Sequence, residues 1–163
     1  MTDEKRFLCG AIELAYANVE QGGRPFGAVV VKDGEIVATG VNEILATNDP
    51  TAHAELMAIR AASQRLGSAD LKGCSIYASG QPCPMCMAAM RLAGVSEVAY
   101  AYSNDDGASF GLSTAAIYAE LAKPFAEQSM KISYVPARLG ERPNLYAHWE
   151  RRQDERTQAH GAK

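Results

Sequence analysis

Phe7, Leu8, Ile12, Leu14, Ala15 and Val19 recur at three- and four-residue intervals between charged positions. That period predicts an amphipathic helix over 3–20, ended by Gly22-Gly23. The pattern then changes to two short apolar runs, 26–31 and 35–40, joined by Lys32-Asp33-Gly34, which reads as a strand hairpin. Residues 41–49 read as a loop. Asp49-Pro50 has the form of an N-cap and first helical residue, so a helix is expected from 50 to about 66, stopped by Gly67. A third strand is expected over 74–79. Pro82 and Pro84 mark a tight turn into a helix over about 84–93, closed by Gly94. A fourth strand (95–101), a helix (113–122, broken near Pro124), a fifth strand (130–135) and a last helix (143–153) complete the pattern. A hairpin followed by alternating helices and strands predicts an α/β fold with a mostly parallel sheet between helices.

Composition narrows the class. With 163 residues, 47% hydrophobic and 21% charged, the whole span 1–163 reads as a single globular domain with a sizeable core. No apolar run approaches the ~20 residues that cross a bilayer. The opening Met-Thr-Asp-Glu-Lys-Arg lacks the charge-then-apolar layout of a secretion signal, so a cytoplasmic location is expected. The net charge of −3 argues against a general phosphate-backbone binder without excluding a nucleic-acid partner. Arg151-Arg152-Gln153-Asp154-Glu155-Arg156 is mixed in sign and reads as a solvated helix end. Tyr77, Tyr100 and Tyr102 read as strand packing, and Met85, Met87 and Met90 as core filling.

The chemistry lies in two short segments, His53-Ala54-Glu55 and Pro82-Cys83-Pro84-Met85-Cys86. One imidazole and two thiols make three zinc ligands. Three protein ligands leave a fourth tetrahedral position for water, the mark of a catalytic site. Zinc lowers the pKa of such a water from roughly 15.7 to about 7, and Glu55 is placed to shuttle its proton. One Zn2+ per chain is expected. A purely structural zinc site would leave Glu55 unexplained and would take a fourth ligand. Cys9, Cys74, His148 and His160 are not at ligand spacing, and Cys9 and Cys74 sit in apolar stretches. The four cysteines therefore do not form a disulfide framework, and thiolate ligands suit a reducing compartment. Both segments fall at expected helix starts, whose partial positive charge favours thiolates.

His-x-Glu followed by Pro-Cys-x-x-Cys is the signature of zinc-dependent base deaminases. The stretches Arg-Pro-Phe-Gly-Ala-Val-Val-Val (24–31), Asn-Asp-Pro-Thr-Ala-His-Ala-Glu (48–55) and Gln-Pro-Cys-Pro-Met-Cys (81–86) resemble the cytidine deaminase superfamily. Within it they are most similar to the bacterial guanine deaminase and nucleoside deaminase branch, with tRNA adenosine deaminases as near relatives. The resemblance runs from about residue 7 to about 135. It implies a three-layer αβα sandwich with a five-stranded mixed sheet, and hydrolytic release of ammonia from an amino-bearing heterocyclic base. Guanine, a guanine-like base or an aminotriazine is the first expectation; a tRNA adenosine or a cytosine-type base is the alternative. A non-catalytic, zinc-stabilised binding domain is the remaining reading, and Glu55 counts against it.

The resemblance also implies substrate contacts. Phe26 would lie against the flat base, or else is a core aromatic at a strand start. Asn42 would hydrogen-bond the base, or else is a turn residue. Ala54, by its position between the ligand His53 and the acid Glu55 rather than by the resemblance, would offer a backbone group. A homodimer is implied, with the C-terminal segment, about 136–163, exchanged with a partner subunit. Tyr146, His148 and Trp149 then become lid residues, the alternative being core or interface packing. Two departures stand out. Relatives carry Glu-Pro-Cys where this chain has Gln81-Pro82-Cys83, and an acidic Gly-Phe-Asp-Asp where it has Gly111-Leu112-Ser113-Thr114. Asp105 or Asp106 is the candidate to replace the missing acid.

Overall fold

The computed structural model describes residues 2–161 of the chain. It divides into two compact units, Met1–Pro124 and Phe125–Lys163. In the first unit, helix α1 (Asp3–Glu20) precedes a hairpin of β1 (Gly27–Lys32) and β2 (Glu35–Val41). Asp33 and Gly34 at its tip both have positive φ, 52° and 79°, as a tight two-residue hairpin requires. A four-residue helix α2 (Ile44–Thr47) and helix α3 (Ala54–Leu66) lead to β3 (Cys74–Gly80), α4 (Pro84–Leu92) and β4 (Glu97–Tyr102). Two short helices follow, α5 (Asn104–Ala108) and α6 (Ala115–Leu121).

The strand order is β2-β1-β3-β4. β1 is antiparallel to both neighbours, and β3 pairs parallel with β4. Thus β2, β3 and β4 run one way and β1 runs against them. The mixed sheet is as expected, but β3–β4 is its single parallel pair, because the hairpin strand β1 is inserted between β2 and β3.

Alternation along β1 divides the core. Ala28 and Val30 face a layer containing Ala54, Ala58 and Ala62 of α3 and Cys86 and Met90 of α4. Val29 and Val31 face Phe7 of α1 together with Tyr77 of β3, whose ring lies 5.0 Å from that of Phe7. This makes the three helix–sheet–helix layers. Two glycines set the spacing between layers. A Cβ on Gly27 would lie 2.4 Å from the Ala11 carbonyl oxygen of α1, and one on Gly40 2.3 Å from that of Ala54. Both helix backbones therefore rest directly on the strands.

Several expectations need correction. The third helix begins at Ala54, not at 50. The Asp49 side chain does accept the Thr51 N–H at 2.8 Å, as a cap would, but it closes a local turn. Backbone extended at His53 (φ −74°, ψ 151°) delays the helix. The fifth strand is missing: among the described residues no strand follows Tyr102. Met130, Ile132 and Tyr134 alternate as strand residues do, yet no neighbouring strand supplies hydrogen bonds, and their side chains are exposed. The sheet therefore has four strands. In the second unit, a 3-10 turn (Phe125–Glu127) precedes α7, Leu145–Gly161. α7 outlasts its apolar period, helped by pairs such as Arg152–Glu155, 2.7 Å. The Asn144 side chain accepts the N–H groups of Tyr146 and Ala147 at its start. Tyr100, Tyr102 and Cys9 are exposed rather than packed, while Tyr77, Cys74 and Met90 are buried. The His160 side chain lies outside the described residues. No helix among them is long and apolar enough to cross a membrane.

Candidate active site

His53 is the N-cap residue of α3 and Cys83 that of α4; both are extended, and neither side chain makes a capping hydrogen bond. The two side chains are free to turn toward each other. Glu55 and Cys86 lie in the first turns of the same helices, so the four groups converge where two helix N-termini meet above the sheet. His53 Nδ1 stands 3.4 Å from Cys83 Sγ and 3.6 Å from Cys86 Sγ. A tetrahedral zinc at about 2.0–2.1 Å from nitrogen and about 2.3 Å from sulfur separates those atoms by about 3.6 Å. The three donor atoms all lie within 4.8 Å of one another. Donor identity, number and spacing therefore fit zinc.

Glu55 completes the group. Cys86 Sγ donates to its Oε2 at 3.5 Å, and the residue is 7% exposed. Burial raises its carboxyl above the usual range, which favours a proton carrier. Cys83 is held down to about 4, first by the hydrogen bond from Cys86 and then by that from His53. The same bond, with burial, pushes Cys86 up, and the bond to Cys83 raises His53. One negative charge is thus favoured among the thiols by themselves; a divalent cation stabilises both thiolates.

His53, Glu55 and Cys83 form one end of a cavity of about 130 Å³, also lined by Arg24, Phe26, Asn42, Gln81 and the segment Gly111–Thr114. The Tyr118 hydroxyl donates to the Pro82 carbonyl oxygen, tying α6 to the turn that carries Cys83.

Residues 1–102 match the model for the cytidine and deoxycytidylate deaminase zinc-binding region. The chain belongs to that deaminase family. It is 42% identical over 148 residues to guanine deaminase of Bacillus subtilis, covering 90% of this chain and 94% of that protein. The solved structure of guanine deaminase from B. subtilis covers 94% of this chain and 93% of that one, with 41% identity and a TM-score of 0.77. A guanine deaminase structure from Nitrosomonas europaea is 30% identical, covers 66% and 63% of the two chains, and gives a TM-score of 0.63. The tRNA-specific adenosine deaminase of Aquifex aeolicus is 40% identical over 94 residues, 58% of this chain and 62% of that protein. The protein is a zinc-dependent hydrolytic deaminase with a cytidine deaminase-like fold, and His53, Cys83 and Cys86 form its zinc site.

The remaining anticipated residues divide into four groups. Phe26, Asn42, Ser113 and Thr114 line the deaminase cavity with His53, Glu55 and Cys83. The Phe26 ring packs so closely on Gly80 that a Cβ there would lie 2.9 Å from it. Ala54 is buried at the start of α3 but is not part of the lining. Asp105 and Asp106 do not reach the cavity. Asp106 accepts from the Ser103 N–H and hydroxyl, both at 2.8 Å, and so caps α5; those bonds lower its carboxyl. Tyr146, His148 and Trp149 belong to α7 of the second unit and are exposed. Arg24 and Leu112 were missed as lining residues, although Arg24 adjoins the Pro25-Phe26 segment that carries the resemblance. Gln81, next to the zinc turn in sequence, lines the same cavity.

Proposed function

We propose that this deaminase converts a free amino-heterocycle, guanine or a guanine-like base such as an aminotriazine, to the oxo compound plus ammonia. The observation that carries the reading is a small cavity with a buried carboxylate beside the zinc donors. The likeness to guanine deaminases over nearly the whole chain supports it. Bound zinc polarises a water toward hydroxide at neutral pH. Glu55 takes one proton of the attacking water and delivers it to a ring nitrogen as the C–O bond forms; it then takes the second proton from the added hydroxyl and gives it to the amine, so that the C–N bond breaks, the carbonyl forms and ammonia leaves. Phe26 lies against the ring face and Asn42 hydrogen-bonds its edge, both from the cavity wall. The buried setting keeps the Glu55 proton on substrate rather than in bulk solvent.

We also propose a homodimer in which about 136–163 reaches a partner subunit, with Tyr146, His148 and Trp149 in the lid. Leu139, Leu145, Tyr146 and Trp149 are exposed on the second unit, an apolar array that a partner surface would cover. Thiolate ligands favour a reducing, cytoplasmic setting. A tRNA adenosine is the second reading, supported by the similarity to the Aquifex enzyme and opposed by the net charge of −3.

The test is ammonia release by the zinc-loaded protein from guanine, adenine, cytosine, isocytosine, their nucleosides, aminotriazines and a tRNA anticodon stem-loop. Turnover of a free base supports the proposal. Activity confined to the RNA would move the protein to the second reading.

A further inference from the structure

Two of the segments that line the deaminase cavity are tied together by a side chain that does not line it. Arg24 and Phe26 reach the cavity from the turn before β1, and Asn42 from the residue after β2. The Asn42 N–H donates to the Phe26 carbonyl at 3.1 Å, and the Phe26 N–H to the Arg24 carbonyl at 2.8 Å. Asn18, in the last turn of α1, closes the set. Its Nδ2 donates to the Arg24 carbonyl at 2.8 Å and to the Asn42 carbonyl at 2.9 Å. A primary amide has two N–H groups, and each carbonyl takes one. Both partners are acceptors, so a carboxylate of the same shape would not serve, and a hydroxyl would serve only one of them.

The packing leads to the same residue. A Cβ on Gly23 would lie 2.4 Å from Asn18 Nδ2 and 2.7 Å from its Cγ and Oδ1. Gly23 does not share the positive φ of Gly22 (86°), so backbone conformation does not call for glycine there; room for the amide does. α1 is fixed in turn by Phe7, Ala11 and Ala15, all buried. The amide therefore refers both segments to the hydrophobic core. We propose that Asn18 is a positioning residue for substrate: it sets the separation of Phe26, at the ring face, from Asn42, at the ring edge, and Gly23 leaves room for it. This rests on the reading that Phe26 and Asn42 hold the base. The zinc donors and Glu55 stand at the starts of α3 and α4, apart from these bonds. Losing Asn18 therefore weakens binding that substrate and transition state share, which raises KM and leaves kcat largely unchanged.

The experiment measures kcat and KM for ammonia release, per bound zinc, with guanine or, if guanine is inert, with the best substrate of the same panel. Asn18→Ala and Asn18→Asp should each raise KM about tenfold, the net contribution of one or two hydrogen bonds, and change kcat far less. Asp keeps the shape of the side chain, so a role in packing alone would leave its KM unchanged. Gly23→Ala drives the amide from its place and should raise KM in the same way. In the double variant Asn18→Ala, Gly23→Ala the new Cβ meets no amide. Its KM should match that of Asn18→Ala alone rather than the product of the two effects. A variant that merely folded less well would lose kcat at constant KM. An unchanged KM in Asn18→Ala or Asn18→Asp, or effects that multiply in the double variant, would overturn this inference and leave the deaminase reading standing. No ammonia from any member of the panel with the unaltered protein would overturn both.

Discussion

The two ends of the substrate cavity are built in different ways. At one end His53, Glu55, Cys83 and Cys86 sit on the first turns of α3 and α4. Those helices are seated on the sheet through Ala54, Ala58, Cys86 and Met90, all nearly solvent-free. At the other end Gly111–Thr114 is a loop between two short helices with no buried residue, and Arg24 is exposed on the segment before β1. The metal donors and Glu55 are thus held by the hydrophobic core, while the loop end of the cavity is held by hydrogen bonds such as that from the Thr114 N–H to Asn104 Oδ1. A change at the loop end can alter what is bound without altering what is done to it.

Experiments that separate the ends should show this in graded form. The largest effect belongs to zinc. Chelation, or Cys86→Ser, should reduce ammonia release on the order of 10³-fold or more and lower the thermal midpoint; a metal-free preparation working at full rate would remove the basis of the comparison. Next is Glu55→Gln, with a loss of roughly 10² to 10⁴ in kcat. Zinc content, measured by elemental analysis, should be unchanged, which separates the proton carrier from the ligands. Gly40→Val tests the core end mechanically. Its new side chain meets the Ala54 carbonyl and should cost about 1–3 kcal/mol in urea unfolding. Thr114→Asp should leave stability within about ±0.5 kcal/mol while reordering the substrates in the ammonia assay. Last, Ser103→Ala removes the N-cap of α5, for about 1 kcal/mol seen in thermal melts. Rates should hardly move, because Asp106 serves that cap rather than the substrate; a large loss of activity would return Asp106 to the site.

What could be read in the sequence follows the same division. The α1 period, the Asp33-Gly34 turn and the His-x-Glu and Cys-x-x-Cys spacings are local patterns, each with a local physical cause, and they located the metal end. The start of α3 was misplaced because Asp49 makes a cap-like hydrogen bond without starting a helix. The fifth strand was misread because the alternation of Met130, Ile132 and Tyr134 describes side chains, whereas a strand also needs a partner. The opposed direction of β1 relative to β3, and the anchoring of the Gln81 side chain, depend on residues far apart in the chain: Gln81 Oε1 accepts the Asn104 N–H. No periodicity encodes that.

The strand order has a consequence for how the protein holds its metal. α3 leaves the sheet from the β2 side and α4 from β3, and β1 lies between those two strands. A zinc ion joined to His53 at the start of one helix and to Cys83 and Cys86 at the start of the other closes a clasp across the central strand. Peeling β1 away from its neighbours then works against the metal bonds. The backbone amides of Val29 and Val31 should exchange with solvent more slowly as free zinc rises, by the same logarithmic law that governs any ligand bound only to the native state. Zinc occupancy and the opening of the sheet become one equilibrium, readable at either place.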